Sequence, residues 1–381
     1  MIAYANHYAG VSARALCVAE SQQNVLPRLE AAEGIAYRLE EVVEELTHGG
    51  TLDMRPVVIS RRADGMTGKI RDICDLCVLH QLLGHLVKLG LDPLLYARIL
   101  PCQCASIEGR GQTGLLKKAK RHIRSAKLGV MVCQKTDVEK AYPSLKYDAV
   151  IGLIEREIPS ARWILTVLRA IAEYAPDGHL IIGGYLDAWL FNYAMSYALR
   201  YLQGVGKTRR GAFIPHVKRA EAYMDDFALL SSNATAVRQA TKRLSAWMRE
   251  HLGLKVKCKE SEIHLMTYEQ ERARKKCKNK GCPCLDMGGY KIHRGYVTIR
   301  PGIFLRIRRN LIRAWREMQR LGTVLLRRAR KLMAYKGYLK WTNSQGVIEK
   351  YHVSEILKVA RSVISYHARR EKMIGGKCYG C

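Results

Sequence analysis

Ala220-Glu-Ala-Tyr-Met-Asp-Asp-Phe-Ala-Leu-Leu230 places two adjacent carboxylates, Asp225 and Asp226, in an otherwise mostly apolar run. Tyr223, Phe227, Leu229 and Leu230 favour strands and Asp-Asp favours a tight turn, so the segment predicts a β-hairpin with the carboxylates at its tip. Carboxylates crowded in this way repel unless a cation sits between them, and hard divalent ions such as Mg2+ take oxygen ligands of this sort. An ordinary turn accommodates Asp-Asp as well, because Asp is common in turns.

A further carboxylate upstream shifts that balance. In Val132-Cys-Gln-Lys-Thr-Asp-Val-Glu-Lys-Ala-Tyr-Pro-Ser-Leu145, the apolar stretch Leu128 to Val132 predicts a strand feeding Asp137, with the Tyr223 hairpin as its partner. Two-metal phosphoryl transfer needs about three carboxylates on neighbouring strands, holding ions roughly 3.5–4 Å apart across the attacking and leaving oxygens.

With these residues in view the chain resembles the reverse transcriptases. Asp137 to Tyr142 resembles their first palm motif, Tyr223-Met-Asp-Asp226 their signature hairpin, and Gly183-Gly-Tyr-Leu-Asp-Ala-Trp-Leu-Phe-Asn192 falls where their template-contacting glycine motif belongs. Leu252 to Ile263 is similar to the following palm element, with Lys259 at the position of its lysine, and Met287-Gly-Gly-Tyr290 to the primer-grip turn. Gly68-Lys-Ile-Arg-Asp72 is similar to the fingers strand whose basic residues, here Lys69 and Arg71, hold the incoming triphosphate. Each element alone is weak, but their common order is not.

The resemblance implies an α+β right-hand polymerase with fingers, an antiparallel palm sheet and a helical thumb. It implies an RNA-directed DNA polymerase that adds dNTPs, with Asp137, Asp225 and Asp226 as catalytic and metal residues for two Mg2+ ions, Asp226 being the weaker or outer ligand. It places the ring of Tyr142 against the sugar of the incoming nucleotide, where it would clash with a 2′-hydroxyl and select deoxynucleotides. Gly183 would contact the template, while Glu139 reads as a solvated surface residue. The expected divisions are an N-terminal helical extension (1–50), fingers (51–136), a palm (137–290) and a basic thumb with a C-terminal tail (291–381). The palm would carry a fingers insertion over about 144–220 and a Cys-rich insertion over about 268–285.

Composition agrees. The 381 residues hold 64 Lys and Arg against 34 Asp and Glu, a net charge of +30, which fits a polyanionic partner bound in a salt-dependent way. Pro301 to Lys372 alone holds 18 Lys and Arg against four Asp and Glu. Phe304 to Trp315 and Val324 to Tyr335 read as amphipathic helices with one packed and one basic face, so Arg308, Arg309, Arg327 and Arg328 are expected on nucleic acid. Tyr290 in the primer grip, and Arg110 in the Gly-rich loop Cys102 to Gly114, are further candidates for phosphate or nucleic-acid contact. That loop precedes an expected basic helix, Leu115 to Ile123.

Residues 25–47 read as an acidic amphipathic helix stopped at Gly49-Gly50, which would dock on the basic body or on a neighbouring protomer. No stretch approaches 20 uninterrupted apolar residues and no signal sequence opens the chain, so no membrane partner and a cytoplasmic location are expected. Twelve cysteines then read mostly as reduced core thiols, and Cys74-Asp-Leu-Cys77 is expected in a helix. Cys277, Cys282 and Cys284 are spaced so that they could converge on Zn2+, or form a metal-free knuckle.

Among reverse transcriptases, the small size resembles the stand-alone bacterial types. The Val-Thr-Gly tripeptide of the retron thumb is absent, and Asp187 stands where diversity-generating enzymes usually carry a Ser-Gln pair. The nearest resemblance is to the defence-associated and unassigned groups, which copy an associated structured noncoding RNA into DNA. The diversity-generating enzymes are the alternative, as is a polymerase-fold RNA-binding assembly protein. A homo-oligomer or accessory protein is compatible with either.

Overall fold

A computed structural model of the chain describes residues 28–63, 70–258, 262–276 and 282–377. The chain is α+β, as expected, with its sheets antiparallel throughout. After helix α1 (Arg28–Thr47) comes the hairpin β1 (Val58–Ala63) and β2 (Ile70–Asp75), then α2 (Val78–Arg98) and α3 (Gly111–Arg124). Strand β3 (Val132–Val138) leads through the short α4 (Ala141–Ser144) into three longer helices, α5 (Tyr147–Glu157), α6 (Arg162–Glu173) and α7 (Tyr185–Gln203). Two hairpins follow, β4 (Gly206–Arg209) with β5 (Ala212–Pro215), and β6 (Arg219–Tyr223) with β7 (Asp226–Ser231). Helix α8 (Ala234–Leu252) is succeeded by β8 (Val256–Cys258), β9 (Ile263–His264) and α9 (Tyr268–Lys276). The meander β10 (Leu285–Met287), β11 (Tyr290–Ile292) and β12 (Val297–Ile299) then hands over to α10 (Pro301–Leu321), α11 (Leu326–Trp341), α12 (Gln345–Lys350) and α13 (Val353–Lys377).

The central sheet runs β6-β7-β3-β8, and β9 pairs with the start of β3 on the β8 side. Its two faces are both covered, which explains the apolar run that opened the sequence. Phe227 and Leu229 enter one hydrophobic core together with α2 and α5 to α8, whereas Ala228 and Leu230 enter a second with α3, α10, α11 and α13. A strand buried on both faces has no polar side to show, so alternation disappears from its sequence. Helix α7 follows the same logic: it is buried from Leu186 through Leu202 on nearly every side and carries apolar residues all round.

Helix boundaries obey local chemistry. Asn233 caps α8 by accepting from the Ala236 amide at 2.9 Å, and Gly253 ends it at φ 67°. The acidic helix α1 docks on α6 and buries Leu39 and Leu46. In the meander, Gly288 and Gly289 both adopt positive φ, 59° and 85°, and turn the chain between Met287 and Tyr290.

Two expectations shift. The strand expected over 128–132 begins at Val132 and carries Asp137 itself, because Gly129 at φ 57° still belongs to the preceding turn. Polar Gln134 and Thr136 hid that strand from a hydrophobicity reading; both are buried. Nor does Cys74-Asp-Leu-Cys77 lie in a helix: Cys74 is on β2, and the Cys77 sulfur caps α2 by accepting from the His80 amide. No helix among the described residues is long and apolar enough to cross a membrane.

Candidate active site

The β6–β7 hairpin closes on the pair Tyr223 and Asp226, leaving Met224 and Asp225 as a two-residue turn. Met224 takes φ 54°, a strained region for a side-chain-bearing residue, and its sulfur is held from below by the Tyr142 hydroxyl at 3.5 Å and the Asn192 amide at 3.8 Å. These contacts fix the turn that presents Asp225. Across the ladder Asp137 is the direct partner of Asp226, and the Val138 amide donates to the Asp225 carbonyl at 3.1 Å. Three carboxylates, one from β3, one from β7 and one from the turn before it, are thereby brought to one end of the sheet.

Their electrostatics follow from that crowding. Burial, then the charges of Asp226 and Asp137, push the Asp225 carboxyl up to about 6, while the guanidinium of Arg71 works in the opposite direction. Arg71 therefore acts on the site from β2, although its side of the hairpin is exposed. Lys135, two residues before Asp137, sets its ammonium 3.3 Å from Asp226. Glu139, a surface residue, pairs with Lys257 at 2.6 Å and with Lys255 at 3.8 Å, which lowers its pKa and bridges the end of β3 to β8.

Among the described residues no three His, Cys, Asp or Glu side chains form a ready-made metal cluster. The donor set at the hairpin still fits a hard divalent ion, because it consists of carboxylate oxygens whose mutual repulsion already raises Asp225 and would be relieved by a cation. Cys282 and Cys284 are half-buried, outside any disulfide, and Cys277 lies outside the described residues.

The other candidates divide. Tyr142 stacks on Phe191 with ring centroids 5.2 Å apart, and burial followed by Asp187 and Asp225 raises its phenol. Gly183 sits at φ 125° where a Cβ would lie 2.5 Å from the Cys74 carbonyl oxygen, so close backbone packing against β2 requires glycine there. Asp187 is buried and internal: its Oδ1 accepts from the Tyr147 hydroxyl at 2.7 Å and the Ile181 amide at 2.9 Å, and burial lifts its pKa to about 6. Lys69 and Lys259 lie outside the described residues.

Several residues expected on nucleic acid are engaged within the protein. Arg110 donates to the Leu100 carbonyl at 2.7 Å and the Gln103 carbonyl at 2.9 Å, clamping its own loop. Tyr290 is 2% exposed and packs on Tyr338 with centroids 5.0 Å apart, because its place on the inner face of the meander is apolar. Arg328 is bound to Glu317 at 2.7 Å, both side chains largely buried between α10 and α11. Arg308 donates to the Tyr351 hydroxyl at 2.8 Å from an exposed position. Arg309 and Arg327 are exposed on the outer faces of α10 and α11.

The sequence reading missed Lys135 and Asn192. Lys135 was accessible to it, since residues i and i+2 share one face of a strand. Asn192 carries a signal too, a polar residue in an apolar helix: its amide also donates to the Ala105 carbonyl at 3.1 Å, tying α7 to the loop before α3.

No protein-family model matches the chain, and no curated protein matches it. Solved structures similar to it include telomerase from Candida albicans in complex with a TWJ fragment of telomeric RNA, at 13% identity and a TM-score of 0.41, covering 86% of this chain and 64% of that one. Apo telomerase from Candida tropicalis is similar at 11% identity and a TM-score of 0.41, covering 71% of this chain and 52% of that one. The chain thus spans less than two thirds of the length of either. Scores of this size assign no function.

Proposed function

We propose that this chain is a nucleic-acid polymerase of the reverse-transcriptase type, adding dNTPs to a primer on an RNA template. The observation that carries the reading is the convergence of Asp137, Asp225 and Asp226 on one end of the β3–β7 ladder, with Asp225 lifted to about 6 by its surroundings. Asp137 and Asp225 would hold Mg2+, with Asp226 the outer of the three because Lys135 shares its charge. When bound, two such ions lower the pKa of a primer hydroxyl and neutralise a departing pyrophosphate.

The protein's own residues prepare that chemistry. The Met224 turn, braced by Tyr142 and Asn192, fixes where Asp225 points. Arg71 reaches the same field from β2, where a triphosphate would find a cation. Tyr142, stacked on Phe191, presents a rigid ring beside the carboxylates and would bar a 2′-hydroxyl. The exposed cations of α10 and α11 would hold a duplex by its phosphates, in keeping with the net charge of +30.

On this reading the sheet is a palm, β1–β2 belongs to the fingers and α10 to α13 form a thumb. The biological setting we favour is copying of an associated structured noncoding RNA in bacterial antiphage defence. The alternatives are a diversity-generating enzyme and an RNA-binding assembly protein. The decisive assay extends a DNA oligonucleotide on an RNA template with dNTPs and Mg2+. Absence of incorporation by the wild-type chain, or undiminished incorporation by Asp225→Asn, would reject the polymerase reading.

A further inference from the structure

The Gly-rich loop between α2 and α3 is unusual in its burial: Gln103, Cys104 and Ala105 are all inside the protein. Loops normally run over the surface, because a buried one must find a partner for each backbone group. This one finds partners on two sides.

On the side of β6, the Ala222 amide donates to the Cys102 carbonyl and the Cys104 amide donates to the Ala222 carbonyl, each at 3.0 Å, so Gln103 lies beside Ala222 as a parallel extension of the sheet. Ala222 directly precedes Tyr223 and the Met224 turn. On the side of α7, two buried side-chain amides exchange roles. Gln103 Nε2 donates to the Asn192 carbonyl at 2.6 Å, and Asn192 Nδ2 donates to the Ala105 carbonyl at 3.1 Å, so each side chain grips the main chain of the other element. The Leu100 amide donates to Gln103 Oε1 at 2.8 Å, which holds the Gln103 amide in this orientation.

The floor of the candidate active site stands on this clamp. Phe191 carries the ring of Tyr142, and both Asn192 Nδ2 and the Tyr142 hydroxyl reach the Met224 sulfur, at 3.8 and 3.5 Å. Met224 holds φ 54°, a conformation that persists only where the surroundings over-determine it. Fixing α7 at Asn192 therefore fixes Phe191, Tyr142 and Met224 together. An apolar side chain of similar length could fill the space of Gln103 without the desolvation cost of a buried amide, so packing alone does not call for glutamine there.

We propose that Gln103 is a positioning residue of the active site: through its reciprocal amide bonds with Asn192 it sets α7 beneath the Met224 turn, and with it the placement of Asp225 and of the Tyr142 ring. The inference rests on the polymerase reading for the roles of those two residues. Gln103 acts through Asn192 rather than on a reacting atom.

The test uses the full-length chain with Gln103→Met, which removes both amide bonds at nearly constant length. The kcat for dNTP incorporation should fall about ten- to a hundredfold with KM for dNTPs within about twofold of wild type, since a misplacement of about 1 Å costs up to about a hundredfold. Relative incorporation of ribonucleotides should rise about tenfold as the Tyr142 ring loses its fixed place. The Mg2+ concentration giving half of the metal-dependent rise in Tm should increase several-fold, a readout that lost packing alone would not move. Asn192→Leu should act on the same element, so the double variant should lie within about twofold of the worse single variant. Should Gln103→Met not fold, Gln103→Glu keeps the acceptor for the Leu100 amide, loses only the donor to α7, and is measured in the same way. A variant with wild-type kcat, sugar discrimination and Mg2+ dependence, whatever its Tm, would overturn the inference while leaving the polymerase reading in place. A wild-type chain that incorporates nothing would instead reject the polymerase reading, and the Mg2+ dependence would then decide this inference, an unchanged value overturning it.

Discussion

Asp137 and Asp226 are directly opposed partners across the β3–β7 ladder, two like charges in a position that sheets normally give to opposite ones. The opposition is tempered on both flanks. Lys135 stands 3.3 Å from Asp226, and Lys257 is the ladder partner of Asp137 on β8. Asp225, held in the turn between these charges, has its pKa raised by burial first and by Asp226 and Asp137 next, with Arg71 opposing them.

Stability should therefore depend on pH through Asp225. Its folded-state pKa of about 6 exceeds the ordinary 3.8, so the folded chain holds this proton more tightly than the unfolded chain. The contribution is fully present below pH 3.8 and is lost as pH rises to about 6, an effect on the order of 1–3 kcal/mol. Asp225→Asn should lack this component in melts taken across that window without metal. Added Mg2+ at pH 7.5 should raise the wild-type Tm and leave that of the variant nearly unchanged.

Arg71 tests the fingers hairpin. Arg71→Ala should raise KM for dNTPs by about tenfold while changing kcat less, as loss of one charge-assisted phosphate contact predicts. An unchanged KM would place Arg71 outside substrate binding.

Tyr142 governs sugar choice on the proposed reading. Tyr142→Val should increase incorporation of ribonucleotides relative to deoxynucleotides by roughly ten- to a hundredfold, measured as the ratio of kcat/KM values. An unaltered ratio would leave Tyr142 as a brace for Met224 alone.

Gly183 tests whether packing explains its position. At φ 125°, with a Cβ landing 2.5 Å from the Cys74 carbonyl oxygen, Gly183→Ala should destabilise the fold by about 2–4 kcal/mol. Denaturant midpoints close to wild type would show that β2 can retreat.

Arg327 and Arg328 are neighbours with opposite expected phenotypes. Arg328→Ala breaks a largely buried pair with Glu317 and should cost about 1–3 kcal/mol of stability. Exposed Arg327→Ala should leave stability within about 0.5 kcal/mol, weaken duplex binding and reduce its log–log salt slope by about 1.

Much of the candidate site was legible because its signals are local. Asp-Asp between strand-forming residues predicts its own hairpin, and β6 and β7 form with Met224 and Asp225 as the turn. Basic amphipathic helices were expected over 304–315 and 324–335; α10 covers the first, and α11 covers the second from Leu326 onward. What stayed hidden depends on partners distant in sequence. Nothing near Arg110, Arg328 or Tyr290 distinguishes a cation or ring offered to nucleic acid from one engaged inside the protein. Their partners Leu100, Glu317 and Tyr338 decide it.

The sequence by itself determined the elements and the charge: two acidic segments bounded by strand formers, helices with one basic face, and a large cationic excess. Tertiary structure alone decided what each polar group meets. It set Asp137 opposite Asp226, brought Lys135 and Arg71 into the field of Asp226 and Asp225, and buried Asp187 against Tyr147. The reason is physical. Periodicity and turn propensity act over a few residues, whereas the cost of a buried charge depends on every group the fold brings around it.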